Sequence, residues 1–180
     1  MTEAGVIVPS IVTDRLELVS MPPEFIETAL DGDQAPTGLR LQLPLGWVQE
    51  EECLLRLRLA EMHEDPSLQP WLLRAIVVRD GNREMVGHIG FHGPPNDAKA
   101  LEIGYAVFPG YRRRGIAIEA VEGMLRWAGG EHLIERFIAS VSPTNVASLA
   151  LVRKLGFAQV GRQWDERDGE ELVFELVRSR

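Results

Sequence analysis

The stretch from Leu101 to Val141 constrains the fold more than any other part of the chain. Strand-like spacing over Leu101 to Phe108 gives way, after Arg112-Arg113-Arg114-Gly115, to a helical stripe of Ile116, Ala117, Ala120, Val121, Met124, Leu125 and Ala128. "RFIASV", Arg136 to Val141, then returns to strand spacing. Strand, helix and strand in succession make a crossover, which lays a helix on one face of a sheet. Gly129-Gly130 is the expected stop of that helix.

The flanking segments extend the pattern. "RLELVS", Arg15 to Ser20, alternates like a strand, and Pro22-Pro23 opens a short helix to about Leu30. Asp31 to Gly46 reads as a loop, and Trp47 to about Met62 as one amphipathic helix with Leu54, Leu55, Leu59 and Met62 on its apolar side. "WLLRAIVVRD" and "EMVGHIGFHG" pair as a hairpin about Asp80-Gly81-Asn82-Arg83. Asn145 caps a helix closed by Gly156, and "FAQVGRQW" with "ELVFELV" forms a last hairpin around Asp165 to Glu171. The order β-α-α-β-β-β-α-β-α-β-β predicts an α/β fold with a mixed sheet, too irregular for a doubly wound one.

Where the central strand meets its helix, unpaired N–H groups converge at the positive end of the helix dipole. Gly115 lets an anion approach the backbone, Ala117 keeps the next turn small, and Arg112, Arg113 and Arg114 add charge, so a diphosphate suits the loop. A solvated charge cluster ahead of an ordinary helix has the same local sequence. Nucleic acid is disfavoured as the anion: 27 acidic against 19 basic residues leave a net charge of −8. The 180 residues, 45% apolar, suit a single domain spanning 1–180. The single cysteine, Cys53, offers no disulfide framework and is expected to be a buried, inert thiol in its helix. The first residues carry neither the charged nor the apolar region of a secretory signal, and no stretch is long and apolar enough for a membrane span; a cytoplasmic protein is expected.

With "TDRLEL" (Thr13 to Leu18), "EIGYAVFPGYRRRGIAIEA" (Glu102 to Ala120) and "NVASLALVRKLGF" (Asn145 to Phe157) in this order, the chain resembles the GNAT superfamily of acyl-CoA N-acyltransferases. Its RimJ/RimL-like branch is the more similar part. The resemblance covers nearly the whole chain, is strongest over residues 100–160 and is loose between Pro22 and Pro70. It implies that Arg112, Gly115 and Ala117, with Arg113, Arg114 and Ile116 between and beside them, grip the pyrophosphate of acetyl-CoA. It further implies a splay between the fourth and fifth strands where pantetheine docks along Tyr105, Ala106 and Val107, with Asn145 and Ser148 near the thiol.

The implied chemistry is direct acetyl transfer from acetyl-CoA, as co-substrate, to a primary amine of a protein N-terminus or small molecule, with no metal. The Val107 backbone N–H is the expected oxyanion donor. Glu102 is the expected base, acting through water, and a structural carboxylate is its alternative. Many family members protonate the thiolate with a tyrosine where this chain has Val152; Ser148, one turn earlier, is the candidate donor in its place. A non-catalytic acyl-CoA-binding module is the alternative for the whole chain.

His88 and His92 share a strand face but lack a third ligand for a metal; His92 is a candidate for lining the acceptor pocket. Trp71, Trp127 and Phe137 read as packing residues, while Trp47 and Trp164 border the acceptor region. The final turn, Trp164 to Leu172, carries five acids, which suits a cationic amine, as it also suits a solvated tip. The expected partners are acetyl-CoA and the amine, not nucleic acid or membrane, and a homodimer is left open.

Overall fold

Continuous apolar strands need cover on both faces. β3 (Arg74–Val78) and β4 (Met85–Phe91) are such strands, buried along nearly their whole length. The computed structural model describes residues 8–32, 39–166 and 168–178. It places them inside one mixed sheet with β1 (Ile11–Val12), β2 (Leu16–Ser20), β5 (Ala100–Val107), β6 (Arg136–Val141), β7 (Ala158–Asp165) and β8 (Gly169–Val177). The sheet order is β1-β2-β3-β4-β5-β6-β8-β7. All neighbours are antiparallel except β5 and β6, which run parallel as a crossover requires.

The crossover helix α4 (Ile116–His132) and α5 (Val146–Lys154) cover one face, burying Ile103, Ala120, Met124, Phe137, Val152 and Phe174 in a common core. On the other face α1 (Pro23–Leu30), α2 (Trp47–Glu50) and α3 (Glu52–Glu64) cover β2 to β4 with Phe25, Trp47, Leu55 and Met62. The buried Ile, Leu, Val, Met and Phe side chains among these contribute about 1.5–3 kcal/mol each. Among the described residues the second group of helices covers β2 to β4, while β6, β8 and β7 keep more exposed positions along their length.

The α/β pattern expected from the sequence is present, and so is the splay that the resemblance implies. β5 pairs with β6 only at Ala100↔Arg136, Leu101↔Phe137 and Glu102↔Ile138. Beyond Glu102 the strands part, while β5 stays paired to β4 from Ile103 to Val107.

Four expectations are corrected. A two-residue strand, β1, precedes the expected first one, too short to show alternation. The helix expected over Trp47 to Met62 breaks at Glu51 (φ −104°, ψ 13°), whose carboxylate lies 3.2 Å from His88 Nε2. Gly129-Gly130 does not end α4: the helix runs to His132, whose ring packs 4.5 Å from that of Trp71 and 4.6 Å from that of Trp127, and Leu133 closes it at φ 59°. Cys53 is exposed, not buried. It lies about 200° around the helix from Leu55, the residue that enters the core. Residues 33–38 of the expected Asp31 to Gly46 loop and Arg167 of the last turn lie outside the described residues. Among the described residues no helix is long and apolar enough to cross a membrane.

Candidate functional site

The link between β5 and α4 builds an anion cradle from backbone. After a short 3-10 turn at Pro109–Tyr111, Arg112 is extended, and Arg113 (φ 61°) and Gly115 (φ 76°) take left-handed conformations. Left-handed residues alternating with right-handed ones fold consecutive N–H groups toward one point, a nest for an anion. Gly115 is the N-cap of α4 and supplies no side-chain cap, so the first-turn amides of Ile116, Ala117 and Ile118 have no capping side chain.

The three arginines have different settings. Arg112 Nε donates to the Val107 carbonyl at 2.9 Å, tying the loop to the end of β5. The Arg114 guanidinium lies over the Tyr111 ring, 5.6 Å from its centroid. Arg113 is exposed.

Arg15 is a fourth cation that sequence reasoning missed. Its Nε donates to Glu119 Oε2 at 2.7 Å and its Nη1 to the Arg114 carbonyl at 3.0 Å. A side chain at Gly115 would begin 3.2 Å from Arg15 Nη2. Glu119 also accepts from Thr13 Oγ1 at 2.6 Å and from the Arg15 amide at 2.8 Å. Partial burial opposes its ionisation, but the Thr13 and Arg15 hydrogen bonds together hold the carboxyl below its usual range. The "TDRLEL" segment was the available signal: Thr13 and Arg15 lock β1 and β2 onto the first turn of α4.

The splayed edge of β5 is the second component. The His92 amide donates to Glu102 O and the Phe108 amide to Val86 O, so even-numbered backbone groups of β5 face β4. Ile103, Tyr105 and Val107 therefore turn their N–H and C=O groups the other way, where pairing with β6 has ended. Such an edge accepts an extended chain of amides as an added strand. Ala106 presents its backbone to β4 instead, opposite His88.

α5 begins beside this edge. Asn145 Oδ1 accepts from the Ser148 amide at 3.1 Å as an N-cap, and Val152 is buried one turn later. The Tyr105 hydroxyl is buried with no hydrogen-bond partner among the described residues. Burial pushes the phenol up; Ser148 opposes the shift without a bond of good geometry.

On the opposite sheet face a polar chain crosses four neighbouring strands. Ser140 Oγ on β6 donates to Glu102 Oε1 on β5 at 2.6 Å, and Gln163 Nε2 on β7 donates to Ser140 Oγ at 3.1 Å and to Glu171 Oε2 on β8 at 2.9 Å. His92 Nδ1 lies 3.7 Å from Glu102 Oε1, within ion-pair range. A cavity of about 130 Å³ opens beside them, walled by Leu54 and Arg58 of α3 and by His88, His92 and Gly104. Trp47 is buried with its ring 6.4 Å from that of His88, and Trp164 is exposed on the edge strand. The Trp71 and Trp127 rings pack tilted against each other with centroids 5.3 Å apart, and Phe137 is in the core.

A larger cavity, about 610 Å³, lies at the other end of α4, between Val8 to Val12, Arg74 and His132. Arg74 donates there to the Pro9, Leu18 and Pro70 carbonyls, pinning the sheet edge. It is far along α4 from the anion cradle and shares none of its groups.

Cradle and splayed strand edge thus adjoin at the C-terminal end of β5, and the Glu102 carboxylate stands five residues earlier on the other face of the sheet. Together they can hold an anion, align an extended amide chain and accept a proton across the sheet from it. Residues 25–158 match the family model of the acetyltransferase (GNAT) domain. The uncharacterized N-acetyltransferase YjdG of Bacillus subtilis (strain 168) is 35% identical over 82 residues, which are 46% of this chain and 49% of YjdG. The chain thus spans about half the length of that curated relative. The microcin C7 self immunity acetyltransferase MccE, solved with acetyl-CoA and AMP, has a similar fold: TM-score 0.65, 16% identity, 97% of this chain and 98% of the other. The ribosomal L7/L12 α-N-protein acetyltransferase RimL, solved with coenzyme A, gives 0.64 and 18% over 93% of this chain and 97% of the other.

Proposed function

The chain belongs to the acetyltransferase (GNAT) domain family, and from that premise we propose that it moves the acetyl group of acetyl-CoA directly to a primary amine. The observation that carries this reading is the adjacency of an uncapped helix N-terminus, with arginines around it, to a β5 edge whose pairing with β6 ends after Glu102. One ligand chemistry matches both: a diphosphate joined to an arm of amides. MccE and RimL, solved with acetyl-CoA and coenzyme A, support it as similar folds.

In this reading the backbone from Arg112 to Ala117 holds the pyrophosphate, with Arg113, Arg114 and Arg15 adding charge-assisted contacts. Pantetheine adds to β5 along Tyr105, Ala106 and Val107. The Val107 N–H, preorganised and without a strand partner, takes the charge that develops on the thioester oxygen. The amine arrives on the side of Glu102 and Ser140, and its proton leaves toward Glu102, because only the neutral amine attacks. Asn145 holds the first turn of α5 so that the Ser148 hydroxyl can assist the departing sulfur. The acceptor is a cationic amine, a protein N-terminus as in the RimJ/RimL-like branch or a small molecule. Glu102 and Glu171 give its approach a negative field. We read the reaction as cytoplasmic, because it draws on acetyl-CoA.

Two expected results follow. Arg15→Ala weakens acetyl-CoA binding by roughly tenfold, the loss of one charge-assisted contact with its loop anchorage, as calorimetry would record; unchanged affinity removes Arg15 from the site. Ser148→Ala lowers kcat by about three- to tenfold with acetyl-CoA affinity retained; wild-type turnover returns Ser148 to the role of a helix-start residue. Buried Val152, where many relatives carry a tyrosine acid, favours the second reading, a non-catalytic acyl-CoA-binding module. That reading predicts acetyl-CoA affinity with no turnover on any amine.

A further inference from the structure

We propose that Ser140 and Gln163 are positioning residues, which hold the Glu102 carboxylate in the one orientation that meets the acceptor amine. The inference deepens the acetyl-transfer reading and rests on it. The chain of bonds starts at Glu171 on β8, passes through Gln163 on β7 and Ser140 on β6, and ends at Glu102 on β5. Gln163 Nε2 donates to Glu171 Oε2 at 2.9 Å and to Ser140 Oγ at 3.1 Å, and Ser140 Oγ donates to Glu102 Oε1 at 2.6 Å.

Counting hydrogens gives this chain a single direction. A carboxamide nitrogen has two hydrogens and accepts none; one goes to Glu171 and the other to Ser140. Ser140 Oγ therefore accepts from Gln163 and keeps its only proton for Glu102. Turning the Gln163 amide over would set its carbonyl oxygen against the Glu171 carboxylate, so Glu171 fixes the amide and, through it, the hydroxyl. Both ends of the chain are carboxylate oxygens, which accept and do not donate.

The chain closes at the mouth of the splay. Glu102 is the last residue of β5 paired with β6, opposite Ile138. Ser140, two residues beyond Ile138, shares its face and reaches back across the opening between the strands. Its hydroxyl is the only hydrogen bond to the Glu102 carboxylate among the described residues.

The other charged groups on this face do not replace it. His92 Nδ1 stands 3.7 Å from the same oxygen, too far for a hydrogen bond. Arg136 on β6 is paired with Glu175 on β8, and Arg58 on α3 with Glu61. A partly exposed glutamate with no donor samples several rotamers, and each turnover then has to fix one of them.

The test compares wild type with Ser140→Ala, Ser140→Thr, Gln163→Leu and the Ser140→Ala/Gln163→Leu double variant, using acetyl-CoA with either spermidine or a tripeptide with a free N-terminus. Ser140→Ala is expected to lower kcat roughly tenfold with acetyl-CoA affinity retained, the cost of orienting a mobile base. Ser140→Thr keeps the hydroxyl and should restore kcat to within about threefold of wild type. Gln163→Leu, which lets the hydroxyl turn, should lower kcat by about three- to fivefold, and the double variant should be no slower than Ser140→Ala, because Gln163 acts through Ser140. Three-bond NMR couplings along the Glu102 side chain give a readout on the protein alone: one rotamer in wild type and Ser140→Thr, averaged values in Ser140→Ala. Four results would each overturn the proposal: Ser140→Ala within about twofold of wild-type kcat, Ser140→Thr as slow as Ser140→Ala, a double variant slower still, or a Glu102 rotamer indifferent to Ser140. No wild-type turnover on any primary amine overturns the acetyl-transfer reading itself and the proposal with it, and the couplings separate that outcome from a failure of the chain.

Discussion

Gly115→Glu is expected to reduce acetyl-CoA affinity by about 10³-fold or more while the protein stays folded. Three effects act in the same direction. Gly115 sits at φ 76°, where a side chain strains the backbone by about 1–2 kcal/mol. The new side chain starts 3.2 Å from Arg15 Nη2, so its carboxylate takes the cation that would meet the phosphate. It also sets a negative charge at the helix N-terminus, in the space the pyrophosphate must enter. Losing charge-assisted contacts and adding repulsion together come to about 4 kcal/mol, which is roughly 10³-fold in affinity. The strain alone is small against an ordinary folding stability of about 5–15 kcal/mol. Calorimetric titration beside a thermal melt checks both halves: a folded variant with undiminished affinity removes the loop from the binding site.

Glu102→Gln carries the second large effect, a fall in kcat of roughly 10²–10⁴ at neutral pH with acetyl-CoA affinity preserved. The amide keeps the shape and still accepts from Ser140, whose hydroxyl bonds Glu102 Oε1 at 2.6 Å, so the substitution removes charge and basicity and little else. The deficit should shrink as pH rises. A free amine titrates at about 8 for a peptide N-terminus and about 10 for an alkyl amine. As pH approaches that value the acceptor arrives already deprotonated, and the variant's rate climbs toward the wild type's. A small defect of constant size across the pH range would take Glu102 out of the proton's path and leave it as a structural partner of Ser140.

What the sequence made legible was what lies contiguous in it. The change of period across Arg112 to Ile116 marks the start of α4 because every residue that shapes that turn is local. The splay was implied by resemblance alone; alternation in "ALEIGYAVF" says which residues share a face, not how far the strand stays paired. The break at Glu51 has no Gly or Pro to announce it, and the Glu51 carboxylate meets His88, a residue of a distant strand. Gly129-Gly130 carries the composition of a helix stop, but ring packing of His132 on Trp71 and Trp127 holds one more turn. Cys53 shows the limit of a broad apolar pattern, which does not fix which residue of α3 points at the sheet.

The polar chain of Glu102, Ser140, Gln163 and Glu171 is drawn from four strands, so no spacing within any segment could join them. Arg15 is remote in sequence from the loop it supports, with Glu119 as the link between them.

Acetyl transfer is tested most directly by following free CoA thiol and acetylated amine together, with wild-type protein, acetyl-CoA and a panel of primary amines covering N-terminal peptides, polyamines and aminoglycosides. Direct transfer predicts that thiol and amide appear one for one on at least one class of cationic amine, with no acetylated protein accumulating. Saturable acetyl-CoA binding with no thiol released on any amine would contradict it and establish a binding module.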